Sequence, residues 1–177
     1  DSFLKEKEEK KELSLRTFFM SQPVGEGINI EHGKRMREKF QGDFVRFSGY
    51  NRMTDGTVAS TKGDLLEPYE GTDMHCSIQV DYPMIEKEVQ LADENGFRYS
   101  LHAQGDGAVH KVAGIFDKCQ KKDGKLVNRH AVTDMEFSNP ADLKKMGEMG
   151  VTGEIYFQIM SLDPADDVKK SIEETIG

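Results

Sequence analysis

Two short stretches of the sequence combine histidine with carboxylates in positions that could support catalysis. The sharper one is His102-Ala-Gln-Gly-Asp106, which lies where a strand pattern gives way to a helix pattern. In a parallel α/β fold that junction falls at the carboxyl edge of the sheet, where active sites gather. His102 could there bind a metal ion or act as a general base. Asp106 is a candidate catalytic carboxylate, although its position equally suits a helix N-cap.

The second stretch is Arg129-His130-Ala-Val-Thr-Asp134, again on a strand that leads toward a helix. Asp134 falls near the carboxyl end of that strand and would share a rim with His102. A histidine and a carboxylate on one rim suit a hard or borderline metal ion, and they equally suit a buried salt bridge. His130 lies four residues earlier and deeper, which favours a structural role.

A long loop over residues 51–80 is rich in Gly, Thr, Asp and Ser and has no clear periodicity. Loops of this length are usually functional or disordered. The loop could be a solvated turn, or it could fold over a site with Tyr69 as part of its anchor. Asp55, within its small-polar segment, is a candidate catalytic residue.

The elements that must position these residues alternate between strand and helix patterns. Strands are predicted at residues 13–20, 44–50, 97–103, 126–135 and 151–160. Helices are predicted at residues 3–12, 28–40, 81–95, 106–121, 139–150 and 163–177. Capping residues and glycine stops mark several of these helices.

Such alternation indicates right-handed βαβ units and a parallel sheet, which both doubly wound and barrel folds contain. No glycine-rich dinucleotide-binding motif follows any strand. A closed (β/α)8 barrel needs eight strands, and the chain supplies about five. We expect residues 1–177 to form one partial domain whose open strand edges favour self-association.

Composition excludes several classes of partner. The net charge is −8 with 32% charged residues and no basic stripe, which argues against nucleic acid. No apolar run is long enough to span a bilayer, and no signal peptide is apparent, so a cytoplasmic location is expected. The two cysteines read as reduced thiols, and the five histidines form no HxH or HExxH pattern.

Several segments, taken together and in order, resemble amidohydrolase family 3 over roughly residues 13–160. The matching residues are Met53-Thr54-Asp55-Gly56, Leu65-Leu66-Glu67-Pro68-Tyr69, His102-Ala103-Gln104-Gly105-Asp106-Gly107-Ala108-Val109, Arg129-His130, Pro140-Ala141-Asp142-Leu143 and Met149-Gly150-Val151. The pattern HAxGDxAV in this order is the most specific part. The resemblance implies a partial (β/α)8 TIM barrel, α/β in class, that covers roughly the third to the seventh strand.

The resemblance also implies a metal-dependent hydrolase that uses metal-activated water on amide or related C–N bonds. The family's HxH pair on the first strand and its aspartate on the eighth strand fall outside this chain. The family's lysine should stand at Asn51, or at Arg52 if the alignment slips by one residue. The family's second metal histidine should stand at Asp134, so only His102 is retained unchanged.

Two functions therefore stay open, a hydrolase fragment that is itself inactive and a non-catalytic relative with a binding or regulatory role. The implied cofactor is a divalent metal, zinc first, in the full-length parent, while the fragment itself could lack one. The implied partner is a small-molecule substrate, with neither nucleic acid nor membrane. The assigned residues are Asp55 and Asp106 as catalytic, His102 and Asp134 as metal ligands, and Asn51, Arg52 and Tyr69 as substrate-binding.

Overall fold

A computed structural model describes residues 2–23, 27–155 and 164–176 of the chain. Its helices are α1 (Ser2–Glu9), α2 (Ile30–Lys39), α3 (Tyr82–Glu94), α4 (Asp106–Asp117), α5 (Pro140–Met149) and α6 (Ala165–Ile176). Its strands are β1 (Thr17–Ser21), β2 (Val45–Met53), β3 (Arg98–Ala103), β4 (Lys121–Lys122), β5 (Lys125–Leu126), β6 (Ala131–Asp134) and β7 (Thr152–Glu154).

Five parallel strands form the main sheet in the order β1-β2-β3-β6-β7. Each strand lies beside the strand that precedes it in this sheet along the chain, so the order never reverses. A doubly wound sheet reverses at its switch point, whereas barrel strands follow one another around the ring. The chain is therefore an α/β domain with part of a TIM-like sheet, as predicted.

One face of the sheet is covered by helices and contains the main hydrophobic core. Tyr50, Phe97 and Tyr99 are fully buried there, and α3 and α4 pack on β3. The ring of Phe97 meets Tyr50 edge to face at a centroid distance of 5.5 Å. Gly33 lets α2 approach this cluster, because a Cβ atom at Gly33 would lie 2.0 Å from the Tyr50 hydroxyl.

Several predicted boundaries differ from the structure: α1 ends at Glu9 rather than at residue 12, and β1 begins at Thr17 rather than at residue 13. β2 runs on to Met53, so the long loop begins after residue 53 and contains a single 3-10 turn at Val58–Ser60. The strand predicted at residues 126–135 is reduced to Ala131–Asp134, because Leu126 belongs to the small β4–β5 hairpin. That hairpin turns at Gly124, with φ of 78°, and it also ends α4 earlier than predicted.

Other predicted elements agree closely with the structure. α3 begins after Asp81, whose side chain accepts a hydrogen bond from the Met84 backbone N–H, and α5 ends at Gly150 with φ of 73°. Half of the strand predicted at residues 151–160, namely 156–160, lies outside the described residues, and the other half contains β7. Within the described parts of the chain, none of the helices combines the length and apolarity needed to cross a bilayer.

Candidate functional site at the carboxyl edge of the sheet

β3 divides its side chains between the two faces of the sheet. Tyr99, Leu101 and Ala103 are completely buried under the helices, whereas Arg98 and His102 alternate with them and lie on the opposite face. His102 lies at the carboxyl end of the strand and is about one-fifth exposed. We call the face that carries His102 the open face, because α3 and α4 pack on β3 from the side of Tyr99, Leu101 and Ala103.

Asp134 reaches His102 through an unusual turn at the end of β6. The Asp134 backbone has φ of 75°, and the Met135 N–H lies 3.2 Å from the carbonyl oxygen of Thr133. This pattern is that of a γ-turn with positive φ, a rare and strained form. The turn places the Asp134 carboxylate against Nε2 of His102, so the structure brings together the two residues predicted to bind metal.

His102 has one ring nitrogen that no other group satisfies. Its Nδ1 atom is buried and has no hydrogen-bond partner among the described residues. Buried polar atoms are nearly always hydrogen-bonded, and each exception calls for an explanation such as an ion. An ion, an ordered water molecule or a ligand atom could each satisfy this nitrogen.

Gln104 joins this pair, although the sequence analysis did not assign it a role. Its side-chain Nε2 donates to Oδ2 of Asp134 at 3.1 Å. A sequence signal could have pointed to Gln104, because it follows His102 by two residues in the His-Ala-Gln-Gly-Asp stretch.

Asp55 is a buried clamp for the backbone around the site. Its carboxylate accepts hydrogen bonds from the backbone N–H groups of Asp64, Gln104 and Gly105, at 2.8–2.9 Å. Burial raises the pKa of this carboxyl, and the backbone amides oppose that rise. Asp55 is only 1% exposed, and its catalytic role stays a prediction.

Asp106 likewise ties the loop to the start of α4. Its Oδ1 accepts from the backbone N–H of Leu66 at 2.9 Å. The N-cap of α4 is Gly105, which makes no side-chain cap bond, so the N-cap interpretation of Asp106 is wrong. A glycine is required at 105, since a Cβ atom there would lie 2.2 Å from the Asp64 carbonyl oxygen. A catalytic role for Asp106 stays a prediction.

The three predicted substrate-binding residues lie in different environments. Asn51 is exposed on the open face, two residues before Met53, which pairs with His102 in the sheet register. Arg52 points to the helical face and forms a two-pronged ion pair with Glu88 of α3, at 2.7 and 2.8 Å. Tyr69 is buried in the loop, where its hydroxyl donates to the Gly63 carbonyl at 2.8 Å. Only Asn51 therefore faces the same side as His102.

Below His102 the open face carries a polar layer, which the sequence analysis also missed. Glu154 on β7 accepts hydrogen bonds from Ser100 and Thr133, at 3.1 and 2.9 Å, and it forms an ion pair with Arg98. Barrel interiors are usually filled by bulky branched apolar residues. The layer is thus a specific feature of this chain beneath the candidate site.

Negative charge gathers at the rim of the site. Burial raises the pKa of Glu136, and the carboxylates of Asp134 and Asp55 raise it further. Carboxylates this close to one another favour a cation between or beside them.

A second group of metal-type side chains lies elsewhere and is already satisfied. The ligand atoms of Asp93, Cys119 and His130 all lie within 4.8 Å of one another. However, Nε2 of His130 contacts Asp93 Oδ1 at 2.9 Å, and Nδ1 accepts from the Tyr99 backbone N–H at 3.0 Å. Burial raises the pKa of the Cys119 thiol to about 12, which disfavours the thiolate that a metal needs. This cluster, near the amino end of β3, is a hydrogen-bonded structural network, as expected for His130.

Comparisons with known proteins agree with the fold. No family model matches the chain. The chain is 21% identical over 165 residues to Protein LONG AFTER FAR-RED 3 of Arabidopsis thaliana, covering 92% of this chain and 28% of that protein.

Two solved structures are similar over nearly the whole chain. One is an uncharacterized metal-dependent hydrolase from Pyrococcus furiosus, with a TM-score of 0.73 and 19% identity, covering 99% of this chain and 34% of the other. The other is an uncharacterized metal-dependent hydrolase from Pyrococcus horikoshii OT3, with a TM-score of 0.69 and 18% identity, covering 98% and 33%. The chain thus spans about a third or less of each protein that it matches. At this level of identity the comparisons show the fold, a partial barrel sheet of the kind found in those hydrolases.

Proposed function

We propose that this chain provides part of the active site of a metal-dependent hydrolase that cleaves amide-type C–N bonds in a small molecule. The observation that carries the proposal is the meeting of His102 and Asp134 at the carboxyl edge of the sheet, with Nδ1 of His102 buried and unpaired. The fold shared with two metal-dependent hydrolases supports it. The chain spans about a third of each matched hydrolase, so we propose the activity for a longer protein of which this chain would be one part.

The residues present fit a divalent metal ion. An imidazole and a carboxylate are ligands that zinc accepts, and an ion held between Nε2 of His102 and the adjacent Asp134 carboxylate would have both as ligands. Nδ1 of His102, on the other side of the ring, would then carry the ring proton. Metal-bound carboxylates are commonly oriented by a further hydrogen bond, and Gln104 supplies one to Asp134. A divalent metal in such a site supplies water activated for nucleophilic attack at neutral pH.

The chain's own residues have distinct tasks in this proposal. The γ-turn holds the Asp134 carboxylate toward His102, and Asp55 and Asp106 fasten the loop that borders the site. Asn51 faces the open side and is available to contact a substrate. Arg52 is hydrogen-bonded to Glu88, and Tyr69 is hydrogen-bonded to Gly63. A contact of either side chain with the substrate stays a proposal.

A non-catalytic role in binding or regulation is the second candidate. The observation that favours it is Asn51, an amide side chain where the resembled family has a lysine, together with Asp134 in place of a histidine. Such a protein could keep the fold and the His102–Asp134 pair without turnover.

Zinc titration tests the metal site directly. We expect the wild-type chain to bind Zn²⁺ more tightly than His102→Ala, by about tenfold or more, as measured by isothermal titration calorimetry. The matched control is His110→Ala, which removes an exposed histidine whose Nδ1 lies 3.0 Å from the buried carboxylate of Asp142. Equal affinities in the wild type and His102→Ala would refute the metal site.

Hydrolysis assays on the parent protein then separate the two candidate functions. A panel of amides, ureas and cyclic imides should be cleaved by the zinc-loaded parent and not by its His102→Ala variant. The 177-residue chain alone should be inactive, because the remaining metal ligands of the resembled family lie outside it. Zinc binding without turnover in the parent would favour the non-catalytic role.

A further inference from the structure

Gln104 is fixed in place on three sides beside the His102–Asp134 pair. Its backbone N–H donates to Asp55 Oδ1 at 2.9 Å, and its carbonyl oxygen accepts from the Phe137 N–H at 2.9 Å. Its side chain binds Asp134. Backbone and side chain are therefore both held before any ligand arrives, which is the pre-organisation that a recognition residue needs.

The contact with Asp134 also decides which way the amide group faces. An ionised carboxylate only accepts hydrogen bonds, so the NH₂ group of Gln104 must face Asp134. The amide oxygen Oε1 then points away from that carboxylate. This oxygen is buried and has no hydrogen-bond partner among the described residues.

We propose that Gln104 is a substrate-recognition residue whose Oε1 accepts a hydrogen bond from an N–H group of the ligand. This inference rests on the proposed function in one respect, namely that the ligand lies beside His102 and Asp134. A buried acceptor left unpaired is unfavourable, and a donor on the ligand removes that cost. Through its NH₂ group Gln104 shares Asp134 with His102, so its unpaired Oε1 lies on a residue that borders the candidate site.

The chemistry of Oε1 narrows the substrate class. Amides with an N–H, ureido compounds and cyclic imides all offer a donor, whereas simple esters offer none. Sites built to bond an N–H group discriminate strongly against analogues that lack it.

A pair of matched probes tests this inference. Benzamide and methyl benzoate share the benzoyl group, but only benzamide carries N–H donors. Their dissociation constants would be measured by ¹⁵N-¹H NMR titration of the wild-type chain, Gln104→Met and Gln90→Met, with and without Zn²⁺. Gln90 is the matched control, since it lies on α3 and donates to Glu86 away from the site.

Benzamide should bind about 3- to 10-fold more weakly to Gln104→Met than to the wild type, the effect of one lost hydrogen bond. Methyl benzoate should bind both equally, which also shows that the variant is folded. The inference is overturned if benzamide is unaffected, if both probes weaken equally, or if the wild type does not bind benzamide at millimolar concentration. If Gln104→Met weakens benzamide binding but His102→Ala leaves Zn²⁺ binding unchanged, the metal site is refuted and the role of Gln104 is not.

Discussion

Replacing Asp55 by alanine should loosen the backbone around the candidate site. The carboxylate of Asp55 accepts three backbone hydrogen bonds, from residues 64, 104 and 105, and it is almost completely buried. Bonds to a charged acceptor contribute about 1.5–3 kcal/mol each. Part of this lost free energy is offset in the variant, because a charged carboxylate no longer has to be buried. We expect the free energy of unfolding to fall by about 3–5 kcal/mol.

Asp55→Asn should cost less. Its one carbonyl oxygen can still accept the two bonds that Oδ2 accepts in the wild type, from Asp64 and Gly105. The bonds that Oδ1 accepts from the Gln104 N–H and, at 3.3 Å, from the Thr54 hydroxyl are then lost, and a loss of about 1–3 kcal/mol is expected. The order of stability should be wild type, then Asp55→Asn, then Asp55→Ala.

Urea denaturation followed by circular dichroism measures these differences. The control is Asp73→Ala, an exposed aspartate in the same loop, which should change stability by no more than about 0.5 kcal/mol. Hydrogen exchange should show that the Gln104 and Gly105 amides lose protection in Asp55→Ala. If Asp55→Ala lowers the free energy of unfolding no more than Asp73→Ala does, Asp55 does not stabilise the backbone around the site.

Two further predictions concern pH and association. Burial lowers the pKa of His130, so the unfolded chain takes up a proton below about pH 6.5 that the native state excludes. Stability should therefore fall as pH drops from 7 to 5, and His130→Gln should flatten this slope in urea titrations; identical slopes would contradict the idea. The main sheet ends at β1 and β7, whose outer edges have no partner strand among the described residues, so we expect self-association by light scattering. Phe18→Lys, on edge strand β1, should reduce it, and a wild-type monomer over the micromolar range would count against the prediction.

Local signals predicted much of the fold. Asp81, Asn139 and Gly150 define helix ends through capping and positive φ, which depend on a few neighbouring residues. The junction at His102 was predicted for the same reason, since strand and helix patterns meet there. Helix and strand alternation then implied a parallel sheet, although the sequence alone left barrel and doubly wound arrangements open.

The remaining parts of the site depend on contacts between distant residues. Gln104 meets Asp134 across 30 positions, and Ser100 meets Glu154 across 54. Such contacts follow from strand register, which no local pattern records. The γ-turn at Asp134 is a further case, because residues 126–135 read locally as one continuous strand. Arg52 and Tyr69 were predicted to bind substrate because the side of the sheet or loop that each occupies could not be inferred.

The Arg98–Glu154 pair has a consequence for how this part of a barrel could be combined with other strands. Its two charges, on β3 and β7, already compensate each other within the chain, and Ser100 and Thr133 complete the bonding of the carboxylate. Strands that close over this face would not need to supply counter-ions. Apolar side chains can therefore cover the Arg98–Glu154 layer without leaving either charge buried and uncompensated.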